Sequence, residues 1–222
     1  AGCGSSKKAL PAGTTTSTVA EPTTTAPTTT AATTTTTAPS APWIAVWPPA
    51  GSDDSYGDPV VAARTFATSY LHFVTPVVGA FQQGDSRSGE VPVQPKSTGP
   101  VTTILVRQLG TDGSWSVLGA ATPNIRLTEP AALAAIGSPV RLRGSSSAFE
   151  GTVQVSIRQD DVAKPLTEGF VTGGSLAMGP FDSTFTFPAP TSSYGAIVLD
   201  TISPETGHVS EATVIRVRLS QP

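Results

Sequence analysis

The chain has 222 residues, a net charge of −3, 13% charged residues, 21 glycines, 21 prolines and a single cysteine. This balance lacks the basic footprint of a nucleic-acid partner. The lone thiol excludes an intrachain disulfide and a cysteine-based zinc site. No apolar run approaches the roughly 18 residues that span a bilayer.

The N-terminus reads Ala1-Gly2-Cys3-Gly4-Ser5-Ser6. Two small residues, a thiol and a polar run resemble the end of a bacterial lipoprotein signal, where a leucine, two small residues and cysteine form the lipobox; the leucine and the apolar region before it are not in this sequence. The resemblance implies a signal peptide removed upstream, in keeping with Ala1 in place of Met. It also implies a thioether-linked diacylglycerol on Cys3, with palmitate among its chains, holding residues 1–3 at the outer face of the cell membrane. Each buried CH₂ would add about 0.8 kcal/mol to that hold.

Residues 4–42 are Thr, Pro, Ala and Ser almost throughout. They carry too little apolar surface to offset chain entropy, so a disordered stalk is expected. Extended as polyproline II it would reach about 120 Å, and as a coil roughly 35 Å. Its composition suits O-glycosylation and equally an unmodified linker. Abundant Ala, Gly, Pro and Thr, with Arg favoured over Lys in the folded part, point to a high-GC, Gram-positive source. About 180 residues remain for folding. The stalk ends in Trp43-Ile44-Ala45-Val46-Trp47-Pro48-Pro49, whose two indoles are expected to staple it to the domain surface.

Residues 43–125 read as a small α+β domain. Asp58-Pro59 starts a helix, with Asp as N-cap and Pro at the first helical position. Val61, Phe66, Ala67, Tyr70, Leu71 and Val74 recur at helical spacing, and Pro76 ends the run. Strands are predicted over 77–82, 90–93, 101–108 and 115–120, the last two joined by the turn Gly110-Thr111-Asp112-Gly113. The loop Gly84–Gly89 presents Asp85, Ser86, Arg87 and Ser88 between glycines. It reads as a hairpin turn and also as the candidate binding loop.

Residues 126–222 alternate with period two. Val155, Ile157, Phe185, Leu199 and Val217 are expected inward, and Gln154, Arg158, Thr186 and Arg216 outward. Turn clusters every 8–12 residues suggest an antiparallel sandwich. Gly137-Ser138-Pro139-Val140, Gly144, Ala148-Phe149-Glu150-Gly151, Glu168-Gly169 and Gly179-Pro180-Phe181 follow in that order. This segment resembles the Gmad-type immunoglobulin-like domain associated with bacterial spore germination proteins. That resemblance, over residues 126–220, implies an immunoglobulin-like sandwich in an extracytoplasmic protein without catalysis. The expected fold is therefore mainly β: a C-terminal immunoglobulin-like β-sandwich, preceded by one helix on a small antiparallel sheet and by the stalk.

Ser5-Ser6-Lys7-Lys8 matches S-x-x-K without its companion motifs, no G-x-S-x-G elbow exists, and His72 and His208 stand in separate segments. Asp53-Asp54 and Asp160-Asp161 lack the spacing of a calcium loop. Asp160-Asp161 reads as a polar hairpin turn, and Arg141, Arg143, Arg158, Arg216 and Arg218 as a solvated mixed-charge face. The expectation is a lipid-anchored, non-enzymatic binding or assembly module without cofactor or metal. Its partner is expected to be another envelope protein, with a cell-wall glycan or polymer as the alternative and a cell-wall enzyme as the weakest reading.

Overall fold

The computed structural model describes residues 1–2, 42–49 and 51–220; Cys3, the stalk through Ala41 and the S-x-x-K match lie outside them. Residues 42–220 belong to one compact unit. Helix α1 spans Pro59–Thr65, and the Asp58 carboxylate caps it by accepting from the Val60 and Val61 amides at 2.7 and 3.0 Å. The helical run ends earlier than its apolar spacing predicts. Its last turn, Phe66–Tyr70, widens to a π-turn, with the Leu71 amide bonded to the Phe66 carbonyl at 3.1 Å. His72 then takes a left-handed φ of 63°, which turns Phe73 into the core and leaves Val74 exposed.

Thirteen strands follow: β1 Val77–Val78, β2 Gln82–Asp85, β3 Ser88–Gln94, β4 Thr102–Gln108, β5 Trp115–Ala121, β6 Ile125–Glu129, β7 Ala135–Ile136, β8 Val140–Ser146, β9 Thr152–Gln159, β10 Thr167–Thr172, β11 Gly179–Phe185, β12 Tyr194–Ile202 and β13 Val209–Leu219. One ten-stranded sheet runs β1-β3-β4-β5-β13-β12-β9-β10, with β2 on β3 and β7 on β13; β11-β8-β6 form a second sheet. Pairing is antiparallel except for β7 on β13.

The fold is mainly β, and its C-terminal part is an immunoglobulin-like sandwich. Strands β10, β9, β12 and β13 face β11-β8-β6 across a core that includes Leu142, Val155, Ile157, Phe181, Leu199 and Val217. Phe185 packs half-buried against that core, while Gln154 and Thr186 are exposed. Successive side chains of β9, β12 and β13 alternate between the two faces of the sheet, and this core takes Val155, Ile157, Leu199 and Val217.

The first segment shares its core with the second. Phe66, Ala67, Phe73, Val91, Ile104, Val106 and Val117 pack with Ala196, Val198, Ala212 and Val214 on the other face of β12 and β13. Across the junction near residue 125 the sheet continues through the single pair Val214↔Ala120. Buried Glu211 of β13 ties that corner, accepting from the Thr122 hydroxyl and, at 3.0 Å, from the Asn124 side-chain Nδ2.

The wedge between β5 and β13 is filled by residues 43–47. Val117 donates its amide to the Trp47 carbonyl at 2.7 Å, and Val46 donates to the Val117 carbonyl at 2.8 Å. Trp43 stacks on Tyr194 at 5.2 Å, and Trp47 lies 6.2 Å from the Tyr70 ring. Both indoles of the expected staple thus contact the domain.

Two charged residues depart from their expected places. Arg216 is not solvated: only 2% of it is exposed. Its guanidinium pairs with Asp160 through two 2.5 Å contacts, and its Nε donates to the Trp43 carbonyl at 2.6 Å. Asp160 belongs to the β9–β10 turn, yet its side chain is only 9% exposed. Alternation finds the face of the sheet on which Arg216 lies, but not the segment from 43 to 47 that covers it.

Candidate functional site

The loop singled out in the sequence is the tip of the β2–β3 hairpin, and its polar groups engage one another. Asp85 accepts from the Arg87 amide at 2.7 Å and lies 4.0 Å from Arg107. The Arg87 guanidinium donates to the Gly110 carbonyl. These contacts, the Arg87 amide first and the Ser88 hydroxyl next, hold the Asp85 carboxyl below the usual carboxylate range. Asp85 and Ser86 are exposed, and Arg87 and Ser88 half-buried. Both histidines are exposed: His72 at the end of the helical run and His208 beside Gly207 at the start of β13.

A more concave region lies elsewhere, where the end of the helical run meets the outer face of β9. Cross-strand register builds it row by row. Ser156 lies between Glu168 and Val198, and Gln154 between Phe170 and Asp200. Gln154, Ser156, Glu168, Val198 and Asp200, with Leu71, His72, Arg158 and Val209, surround a groove of about 380 Å³, and Phe170 lies just outside it in the Gln154 row. Arg158 forms its wall. Its Nε donates to Ser156 Oγ at 3.0 Å, its Nη1 donates to the Tyr70 carbonyl at 2.7 Å, and its plane lies 4.8 Å from the Tyr70 ring centre.

Electrostatics follow from burial. Asp200 sits in the groove floor, and desolvation pushes its pKa up to about 6 against the opposing charge of Arg158. Burial likewise pushes the Tyr70 phenol up to about 12, with Arg158 and Arg216 pulling the other way. Along the groove's outer side, β10 pairs only with β9 and forms the sheet's edge. It presents Glu168, Phe170 and Thr172 to solvent, Phe170 being 62% exposed.

Sequence reasoning missed Asp200, Glu168 and Phe170 as neighbours. One signal was present: an acid ending the apolar run Ala196–Leu199 is out of place in a strand buried on both faces. Among the described residues, no cluster of three or more His, Cys, Asp or Glu side chains could hold a metal ion. No described helix is long and apolar enough to cross a membrane.

Local strain explains part of the sequence pattern on the sandwich. A Cβ on Gly144 would lie 2.1 Å from the Arg126 carbonyl and 2.5 Å from the Phe181 ring, so β6, β8 and β11 meet only around glycine. Glu150 and Gly151 turn the chain into β9 with φ of 53° and 70°, a conformation that glycine adopts without steric cost. No curated protein and no solved structure matches the chain. Residues 124–208 match the Gmad2 family, described as the immunoglobulin-like domain of bacterial spore germination.

Proposed function

We propose that this protein is a lipid-tethered envelope module, anchored through Cys3 on the outer face of the cell membrane, which binds another envelope protein without catalysis. The observation that carries the reading is the open edge of β10, where Phe170 is 62% exposed beside a preformed polar groove. An unpaired edge offers main-chain donors and acceptors to an added strand, and alternate side chains supply its specificity. The partner is therefore an extended segment laid along β10. Glu168 and Asp200 outnumber Arg158 in the groove, so that segment carries basic residues alternating with apolar ones. The stalk gives the module reach through the cell wall.

Crosslinking in intact envelopes tests this. Phe170→Lys should leave the melting temperature nearly unchanged and abolish recovery of the crosslinked partner protein. Undiminished recovery removes β10 from the reading, and recovery of wall polymer in place of protein removes the partner class. Cys3→Ala in the full precursor should abolish palmitate labelling and move the protein out of the detergent phase; unchanged labelling removes the tether.

A further inference from the structure

Arg158 has a second side. Opposite the groove it borders a cavity of about 330 Å³, closed by the end of the helical run, the entering segment at Trp47 and the β9–β10 turn. That volume lies within the roughly 300–1,000 Å³ of small-molecule sites. One wall is the Trp47 ring, which meets Tyr70 at 56° with centres 6.2 Å apart; the Tyr70 ring itself is covered by Phe66, stacked on it at 5.1 Å, and by the Arg158 guanidinium. Trp47 is fixed there by donating its indole N–H to the Tyr56 hydroxyl at 3.1 Å. Val162 of the β9–β10 turn, 41% exposed, adds apolar surface.

Polar groups converge on the same space with their hydrogen bonding half used. Arg158 spends its Nε and one Nη1 donor on Ser156 and the Tyr70 carbonyl and also hydrogen-bonds the Tyr70 phenol, which leaves part of a five-donor guanidinium free. Asp161, exposed and set in the turn with φ of 62°, supplies a carboxylate acceptor.

The charge of the cavity is balanced. Asp160 is neutralised by Arg216, which leaves one cation, Arg158, and one anion, Asp161, in the lining. A strongly ionic ligand therefore gains little. A ligand with one apolar face and several hydroxyls satisfies both halves of the lining: its C–H face lies on Trp47, while its hydroxyls accept from Arg158 and donate to Asp161. We propose that this cavity binds a neutral saccharide residue, with Trp47 as the platform and Arg158 and Asp161 as the hydroxyl-reading groups. The site shares Arg158 with the groove beside β10 but does not depend on a protein docking at that edge.

Titration of the purified full chain with N,N′-diacetylchitobiose, maltotriose and glucuronate, followed by tryptophan fluorescence and amide chemical shifts, tests the assignment. At least one of the two neutral sugars should bind saturably, with shifts at Arg158 to Val162, and more tightly than glucuronate. Asp161→Asn preserves a residue that tolerates the left-handed turn while removing the charged acceptor. It should weaken binding about tenfold, the loss of one charge-assisted hydrogen bond. Trp47→Phe, which keeps the apolar body, should weaken it similarly at unchanged fold. Absence of saturable binding to both neutral sugars, or equal affinity in both variants and the parent, overturns the proposal. Partner capture at Phe170 should persist in Asp161→Asn, so failure of one site is distinguishable from failure of the other.

Discussion

The Arg216 guanidinium meets the Asp160 carboxylate in two parallel 2.5 Å hydrogen bonds, beneath the stacked rings of Trp43 and Tyr194. The pair joins β13 to the β9–β10 turn across β12, and a third donor, Nε, reaches back to the Trp43 carbonyl. Removing one member leaves the other charged and buried. Arg216→Ala should therefore cost about 3–5 kcal/mol, whereas replacing both with apolar residues, Arg216→Met with Asp160→Leu, should recover most of the loss. Urea unfolding of the two single variants and the double variant checks this. Additive losses would mean that the pair is not coupled.

Asp200 should give the protein an unusual dependence on acid. Its folded-state pKa is raised to about 6, against about 3.9 in an unfolded chain. Between those values the folded state holds a proton that the unfolded state has released. The contribution of Asp200 is complete below about pH 4, declines as pH rises and is gone above about 6. Asp200→Asn should flatten stability across that window and add about 2 kcal/mol at pH 7. Asp85 and Asp182 work in the opposite sense: their pKa values are lowered, so their contribution is lost as pH falls below the ordinary carboxylate range. Melting curves from about pH 2 to 7.5 separate the two signs.

Gly144 should tolerate no side chain. A Cβ there meets the Arg126 carbonyl at 2.1 Å and the Phe181 ring at 2.5 Å. Neither can retreat easily, since Arg126 sits in β6 and Phe181 is in the core. Gly144→Ala should cost about 3 kcal/mol or more by overpacking, and reducing Phe181 to Leu in the same chain should recover part of it. Equilibrium denaturation measures both. An Ala variant as stable as the parent would show that the three-stranded sheet yields more readily than this packing implies.

What the sequence made legible was local. Asp58-Pro59 marked the helix start because the cap is formed two and three residues away, and Val155 and Ile157 declared their face because a strand alternates. What it hid was long-range. Arg216 looks like a solvated residue on a β-strand until residues 43–47 are laid over it, more than 160 positions earlier in the chain. The end of the helical run was misplaced because Val74 keeps the apolar spacing, whereas the π-turn and the left-handed His72 break the helix first. The groove was missed because its rows are assembled from three strands, β10, β9 and β12, and no single stretch contains it. The loop 84–89 drew notice through its charges, yet those charges are turned upon each other.

The segment before Pro48 should behave as part of the fold. Trp43 packs its ring on Tyr194 with 19° between planes, its carbonyl accepts from Arg216, and Trp47 exchanges hydrogen bonds with Val117 in β5. Trp43→Ala removes the stacked face and lets water reach the Arg216–Asp160 pair, which weakens an interaction that depends on exclusion of solvent. A loss of about 2 kcal/mol is expected, less than for a fully buried indole because Trp43 is only half-buried. The loss should be local in hydrogen exchange. The Val117 amide, donated to Trp47 at 2.7 Å, should lose protection together with residues around Asp160, whereas amides of β8 should keep theirs. A chain beginning at Pro48 should exceed the single variant in both effects, because it also uncovers the β5 edge. Unaltered protection at Val117 in that truncated chain would mean that residues 43–47 rest on the domain without stabilising it.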